Sequence, residues 1–311
     1  MKVNVSSVND FMVCRFRWWA KWVMNRVPVA TSPALDAGRL LHRIFERHFR
    51  GEDIVAVARA ECAAFRVLIP SSHPASQPSA YKAVEQIEDL IEALPLWADK
   101  FPVDTVLEVE EPYEWEDPYL EGLIWLLRPD RMVVSSGRIW HTQNRGLASG
   151  MNFGMYLQLA KRHYHEHLYA EAEMHKYRSL AKKKKWKYGG TVFNLVRKLK
   201  FRTNVGKANE KVKTADEMFF QGAMAINLNS PLHKSVMLSL RQHVVEMQRT
   251  MKEWEQQKLI PAPNEKMNGG YGGNSEDPYF KVLIGEVKLS DPNVFKDRED
   301  TYAGVEEPES V

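Results

Sequence analysis

In the stretch LLRPDRMVVSSGRIWHTQNRG (residues 126–146), Asp130 follows a proline, and Gln143, Asn144 and Arg145 close the run. β-Branched and aromatic residues flank the Ser-Ser-Gly turn, which predicts two strands, over 121–134 and 138–144, joined as a hairpin. Paired strands lie about 5 Å apart with side chains alternating between faces, so Gln143 and Arg145 point to one side, near Asp130. Oxygen ligands for a divalent cation, set beside a fixed positive charge, are what phosphodiester hydrolysis needs. Upstream, His42 sits in the helical run AGRLLHRIFERHF and is a further candidate ligand. Each residue alone has a plainer explanation. A histidine on an apolar helix face is more often a packed core residue, and an aspartate near a strand end is often part of a turn. The hairpin joins them into a candidate site.

The elements that must position these residues can be read from periodicity. Apolar residues at helical spacing predict helices over 6–26 and 34–50, the second through Leu40, Leu41, Ile44, Phe45 and Phe49. Two more are expected at 53–68 and 79–100, parted by PSSHPASQPS. Strands are expected at 105–111, in the hairpin, and near 186–201 and 217–228; helices at 155–173 and 230–257. The chain from PAPNEK onward is rich in Gly, Pro and Asn and reads as loop. The layout is an α/β or α+β core. It divides into a helical part over 1–104 carrying His42, a core sheet over 105–228 with a basic segment at 175–213, and a long helix with a loop-rich extension over 229–311, all in one integrated domain.

A chain of 311 residues holds one large domain with additions or two modest ones. Two cysteines, Cys14 and Cys62, supply no disulfide framework, and a reducing cytoplasm is the expected setting. No run of about 18 apolar residues exists, so no membrane span is expected. The N-terminus lacks the order of a secretory signal. The segment FRWWAKWVM is read as a helix packed on a core rather than one lying on a lipid surface. Net charge is only +3, yet residues 175–213 contain a single acid, Glu210. That basic block is interleaved with Tyr177, Trp186, Tyr188 and Phe193, a pattern suited to a polyanion: cations neutralise phosphates and aromatic rings stack on bases. The candidate contacts are Lys182, Lys183, Lys184, Lys185, Trp186, Lys187, Arg197, Lys198, Lys200 and Arg202. A solvated lysine-rich loop is the plainer alternative.

The order of these features resembles the RecB-like branch of the PD-(D/E)XK nuclease superfamily, which includes CRISPR-associated exonucleases and phage relatives. SSVNDFMVCRFRWWAKWV is similar to the opening Ser/Phe/Cys helix of that branch, and AGRLLHRIFE to the helix with its metal-binding histidine, matching His42. LEGLIWLLRPDRMVV resembles the Gly-x-x-Asp-Arg strand, matching Asp130, and GRIWHTQNRG stands at the acid-x-Lys strand, with Gln143 at the acid and Arg145 at the lysine. The family's Gln-x-x-x-Tyr helix has two candidates: Gln158, with no tyrosine four residues on, and HEHLY, in which His165 and Tyr169 share a helix face. The resemblance implies a restriction-endonuclease-like core with a central mixed sheet flanked by helices. It also implies Mg²⁺ or Mn²⁺ held by His42, Asp130, Gln143 and the Asn144 carbonyl, with Asp130, Gln143, Arg145 and Tyr169 as catalytic residues. DNA, single-stranded or with free ends, is the implied substrate, in a bacterial or phage-infected cell. Recombination or replication proteins are the implied partners.

The departures bear on activity. Gln143 offers a carbonyl oxygen but no charge, and Arg145 does not deprotonate at working pH. Many relatives bind an iron–sulfur cluster through one N-terminal and three C-terminal cysteines; Cys14 matches the first and the other three are lacking, so no such cluster is expected and Cys14 is read as a buried relic. His163 and His167 are spaced i,i+4, but HYHEHLY does not have the His-Glu-x-x-His pattern of zinc hydrolases. Three readings follow: a metal-dependent DNA nuclease, in particular an exonuclease; a nuclease-fold protein that binds DNA without cutting it; and an interaction protein with no nucleic-acid role.

Overall fold

The computed structural model describes residues 1–30, 32–101, 105–147, 154, 156, 160–197, 200–257, 260–261, 278–283 and 285–298, the side chains of 160–163 and 280 excepted. They form two compact units: Met1–Val29 with Pro112–Arg128 and the chain from Asn229 onward, and Ala30–Glu111 with Pro129–Leu228. Gln158 and Lys198 lie outside the described residues.

In the first unit the expected 6–26 helix is broken. A helix over Val5–Val13 ends at Cys14, whose extended backbone (φ −159°) lets its Sγ accept from Arg17 N at 3.3 Å and cap the next turn. Cys14 is therefore a buried cap. Phe16, Trp18, Trp19 and Ala20 of the aromatic segment are buried, as expected of a packed element. The helix Pro231–Gln257 buries Met237, Leu240, Val244 and Met247 at helical spacing, and Arg241 on the same face donates to Asp117 at 2.8 Å. A short strand, Phe295–Asp297, pairs with Arg26–Pro28 in the part read as loop; three residues are too few to show a period. No described helix is long and apolar enough to cross a membrane.

The second unit is a mixed α/β structure with a central five-stranded mixed sheet flanked by helices. The strand order is Phe219–Ala225, Lys187–Arg197, Arg138–Leu147, Arg131–Ser135, Thr105–Val109. All neighbours are antiparallel except Arg138–Leu147 with Lys187–Arg197, which run parallel. A parallel pair needs a crossover, and the helices Ala160–Lys176 and Arg178–Lys184 occupy it. The expected 121–134 strand stops at Leu127 and resumes at Arg131, because Pro129 has no N–H to give a ladder; its two halves join different sheets. Four helices, Pro33–Phe49, Ile54–Leu68, Gln77–Glu88 and Leu94–Lys100, close over one core in which Phe45 stacks on Trp97 at 4.2 Å.

Candidate metal centre

Every described residue of the centre belongs to the second unit. Ser32 caps the His42 helix by accepting from Leu35 N, and Pro33 opens it. Leu40, Leu41, Ile44, Phe45 and Phe49 bury its apolar stripe, which fixes the helix and leaves His42 half-buried at the stripe's edge. Asp130 comes from the hairpin. Ser136 and Gly137 both have positive φ, as a two-residue turn of type I′ requires, and the register sets Arg131 opposite Thr142. Asp130 thereby falls beside the Gln143–Asn144 stretch of the neighbouring strand, and its Oδ2 accepts from Asn144 N at 2.9 Å. On the other side Val109 pairs with Arg131, and Glu110 N donates to Asp130 O at 3.2 Å. Glu110 has a left-handed backbone (φ 50°), a conformation costly for a residue with a Cβ and common where geometry serves a site.

A carboxylate absent from the sequence-based site thus joins it. One ligand atom from each of His42, Glu110 and Asp130 lies within 4.8 Å of the others. His42 Nδ1 is 3.3 Å from Glu110 Oε1 and 3.7 Å from Asp130 Oδ2. Arg145 Nη1 reaches into the same cluster, 2.6 Å from His42 Nε2 and 3.2 Å from Asp130 Oδ2, and also donates to the Asn144 carbonyl at 3.2 Å. Burial works against the charge of Asp130, but Arg145, His42 and the Asn144 N–H outweigh it and hold its pKa below the ordinary range. Burial likewise opposes the charge of Arg145, and Asp130 more than offsets it.

Gln143 and Arg145 share a strand face but meet different partners. Gln143 is fully buried; its Nε2 donates to Glu166 Oε1 at 2.7 Å and lies 3.4 Å from His165 Nδ1. Glu166, on the helix Ala160–Lys176, also accepts from the Thr191 hydroxyl and has His141 Nδ1 3.6 Å away. Burial would raise the Glu166 pKa; His141, His165 and Thr191 bring it below the ordinary value. Tyr169 stacks on His141 at 4.5 Å and meets His165 edge-on at 4.6 Å. The structure therefore brings His42, Asp130, Asn144 and Arg145 together, with Gln143, His165 and Tyr169 in the adjoining group. The side chain of His163 lies outside the described residues.

Sequence reasoning missed Glu110, His141 and Glu166. His141 was within reach, since alternation puts 141, 143 and 145 on one face. Glu166 lies next to the chosen His165. Glu110 was hidden in the acidic run EVEEPYEWE, where nothing local separates it from its neighbours.

The basic segment is divided. Lys182, Lys183, Lys184, Lys185 and Lys187 are exposed around the end of the helix Arg178–Lys184. Trp186 packs against the core around Met132 and Ile139, and Phe193 is fully buried. Arg197 stacks on Phe220 at 4.4 Å, Lys200 lies 4.0 Å from Asp89, and Arg202 pairs with Glu92 and Glu210. Cations, not aromatic rings, are what this segment presents to solvent.

Two carboxylates and an imidazole suit a hard or borderline dication such as Mg²⁺ or Mn²⁺, so the donor set fits such an ion. Four thiolates for an iron–sulfur cluster are excluded by two cysteines. No curated protein matches the sequence. The family model of the PD-(D/E)XK nuclease superfamily matches residues 2–123, a span that includes His42 and Glu110 and ends before the hairpin.

Proposed function

We propose that this protein is a divalent-metal-dependent phosphodiester hydrolase acting on DNA, an exonuclease type suited to substrates with free ends. The carrying observation is the cluster of His42, Glu110 and Asp130 with ligand atoms within 4.8 Å. These three residues would hold the ion, with the Asn144 carbonyl beside them. When bound, the ion would polarise a phosphate oxygen and stabilise charge developing in the transition state. Arg145 donates hydrogen bonds and keeps its charge at any working pH, so its part is to hold a phosphate oxygen, and proton removal from water falls to another group. Tyr169 and His165, in contact with each other beside Gln143, border the same strand face. Exposed Lys182–Lys185 and Lys187 would take the DNA backbone, with recombination or replication proteins as the partner class.

A second reading, a nuclease fold that binds DNA without cutting it, is favoured by one contact: Arg145 stands within hydrogen-bond distance of His42 and Asp130. Incubation with end-labelled single- and double-stranded DNA in Mg²⁺, Mn²⁺ or EDTA separates the two. Cleavage that needs metal and is lost in Asp130→Ala supports the hydrolase. Salt-sensitive binding with no cleavage in either metal establishes the second reading instead.

A further inference from the structure

The strands Lys187–Arg197 and Phe219–Ala225 are antiparallel neighbours, with Val196 opposite Phe219. A loop of about two to five residues is enough to join such a pair, yet residues 198–218 lie between them. Part of the excess forms a second, smaller hairpin, in which Arg202–Thr203 pairs antiparallel with Lys211–Val212 outside the five-stranded sheet. Its base is anchored. Phe201 is buried in the same core as Phe45 and Trp97, and Lys213 N donates to the Phe201 carbonyl at 3.0 Å. Arg202 pairs with Glu92, and with Glu210 across the hairpin at 3.2 Å. The tip is tied as well. Lys207 N donates to Asn204 O and Glu210 N to Lys207 O, both at 3.0 Å, and Gly206 N donates to Glu210 Oε2 at 3.1 Å. Asn204 and Gly206 take positive φ on either side of Val205.

This tied tip presents a valine among lysines. Val205 is 67% exposed, in a turn, where polar residues, glycine and proline are the usual choice. Lys207 and Lys211 are exposed, while Glu210, the one acid from Lys200 to Lys213, is engaged by Arg202 and Gly206 N. The hairpin also leaves the sheet at the end that carries the metal centre: Arg145 lies opposite Leu195, two residues before the strand ends at Arg197. An exposed valine by itself means little; its fixed place on a projecting basic hairpin gives it a use. Cations suit phosphates, and an apolar tip suits insertion at a base step, where it unstacks the pair. We propose that the hairpin Arg202–Val212 is a pin that opens the end of a DNA duplex. Val205 wedges against the terminal base pair, and Lys207 and Lys211 hold phosphates of the parted strands, so that a single strand is freed beside the metal centre. The use of the pin rests on the DNA-hydrolase reading above, but opening itself needs no metal.

The test uses the full chain in EDTA with a blunt duplex carrying a fluorescent adenine analogue in its terminal pair, whose emission rises on unstacking. Anisotropy of a labelled copy of the duplex reports binding. At saturation the wild type is expected to raise the emission several-fold. Val205→Ser should keep the wild-type melting temperature and lose most of that rise, whereas Val205→Ile should retain it. Lys207→Ala/Lys211→Ala should bind the duplex about tenfold more weakly, with a slope of log affinity against log salt lower by about 1.8. A bound duplex whose end stays closed overturns the proposal. So does an equal rise in Val205→Ser, or no binding of the duplex at all. Incubation of the same DNA with Mn²⁺ separates the two readings. Opening without cleavage leaves the pin standing and removes the hydrolase. Cleavage of single strands by a protein that leaves duplex ends closed removes the pin alone.

Discussion

Arg145 Nη1 lies 2.6 Å from His42 Nε2. A guanidinium only donates, so Nε2 accepts and the ring hydrogen sits on Nδ1, facing Glu110 Oε1 at 3.3 Å. While this contact stands, neither ring nitrogen is free for a metal. An ion at Nε2 would take the lone pair that Arg145 uses. An ion at Nδ1 would drive the ring hydrogen to Nε2, against an Arg145 N–H. Arg145 is thus the internal cation of the centre, and a dication bound through His42 must displace it.

Arg145→Met should therefore bind Mn²⁺ about tenfold more tightly than wild type, because the competing state is removed. Without metal it should be less stable by about 3 kcal/mol, the order expected when one partner of a buried ion pair is deleted. Calorimetric titration and denaturant unfolding with and without Mn²⁺ measure both effects. Weaker Mn²⁺ binding in this variant would make Arg145 a support of the ion, not a competitor.

Glu110 yields the next expectation. Its carboxylate supplies one of only two negative charges in the three-residue cluster. Glu110→Gln keeps the shape and a hydrogen-bond acceptor for His42 Nδ1 while removing that charge. Mn²⁺ affinity should fall roughly tenfold, and the melting temperature in EDTA should change little. Equal affinities for the two proteins would leave Asp130 and His42 as the whole of the site.

The two centres of the site were unequally legible. His42, Asp130 and the hairpin could be found because each depends on local pattern: a helical apolar stripe, a two-residue turn with glycine, alternation along a strand. Glu110 depends on the pairing of Val109 with Arg131, a contact between segments that sequence order alone does not align. Glu166 was passed over because its neighbour His165 matched a motif spacing, whereas the fully buried Glu166 makes the shorter contact with Gln143, 2.7 Å against 3.4 Å for His165. The aromatic residues of the basic segment show the opposite error. Trp186 and Phe193 alternate with cations as a stacking surface would, yet Trp186 packs on the core and Phe193 lies in the strand Lys187–Arg197, which is interior to the sheet and buried along most of its length.

The strand that carries Gln143 and Arg145 is phased against its neighbour by two glycines. Ile139 pairs with Tyr188 but Trp140 pairs with Gly190, so Gly189 is the extra residue of a bulge. A Cβ on Gly189 would lie 2.4 Å from the Trp140 indole, and one on Gly190 only 2.1 Å from the Met224 carbonyl oxygen. Gly190 also has φ +127°, where side chains are strained. Gly190→Ala should destabilise the protein by about 3 kcal/mol and weaken Mn²⁺ binding by misplacing the strand. Thermal unfolding with a melting shift below about one degree would show that the sheet accommodates the methyl without moving.

Lys182, Lys183 and Lys184 lie in the last turn of the helix Arg178–Lys184, where cations already suit the helix dipole. That role alone is worth a few tenths of a kcal/mol per residue, so the alanine variant Lys182→Ala/Lys183→Ala/Lys184→Ala/Lys187→Ala should fold nearly as well as wild type. DNA binding distinguishes the two roles. Each phosphate contact contributes about 0.9 to the slope of log affinity against log salt concentration. Removing four should lower that slope by about 3.6 and weaken binding most at low salt. The measurement is fluorescence anisotropy with a labelled oligonucleotide across a salt series. A slope equal to that of wild type would reduce these lysines to helix-end charges and move the DNA path to another face.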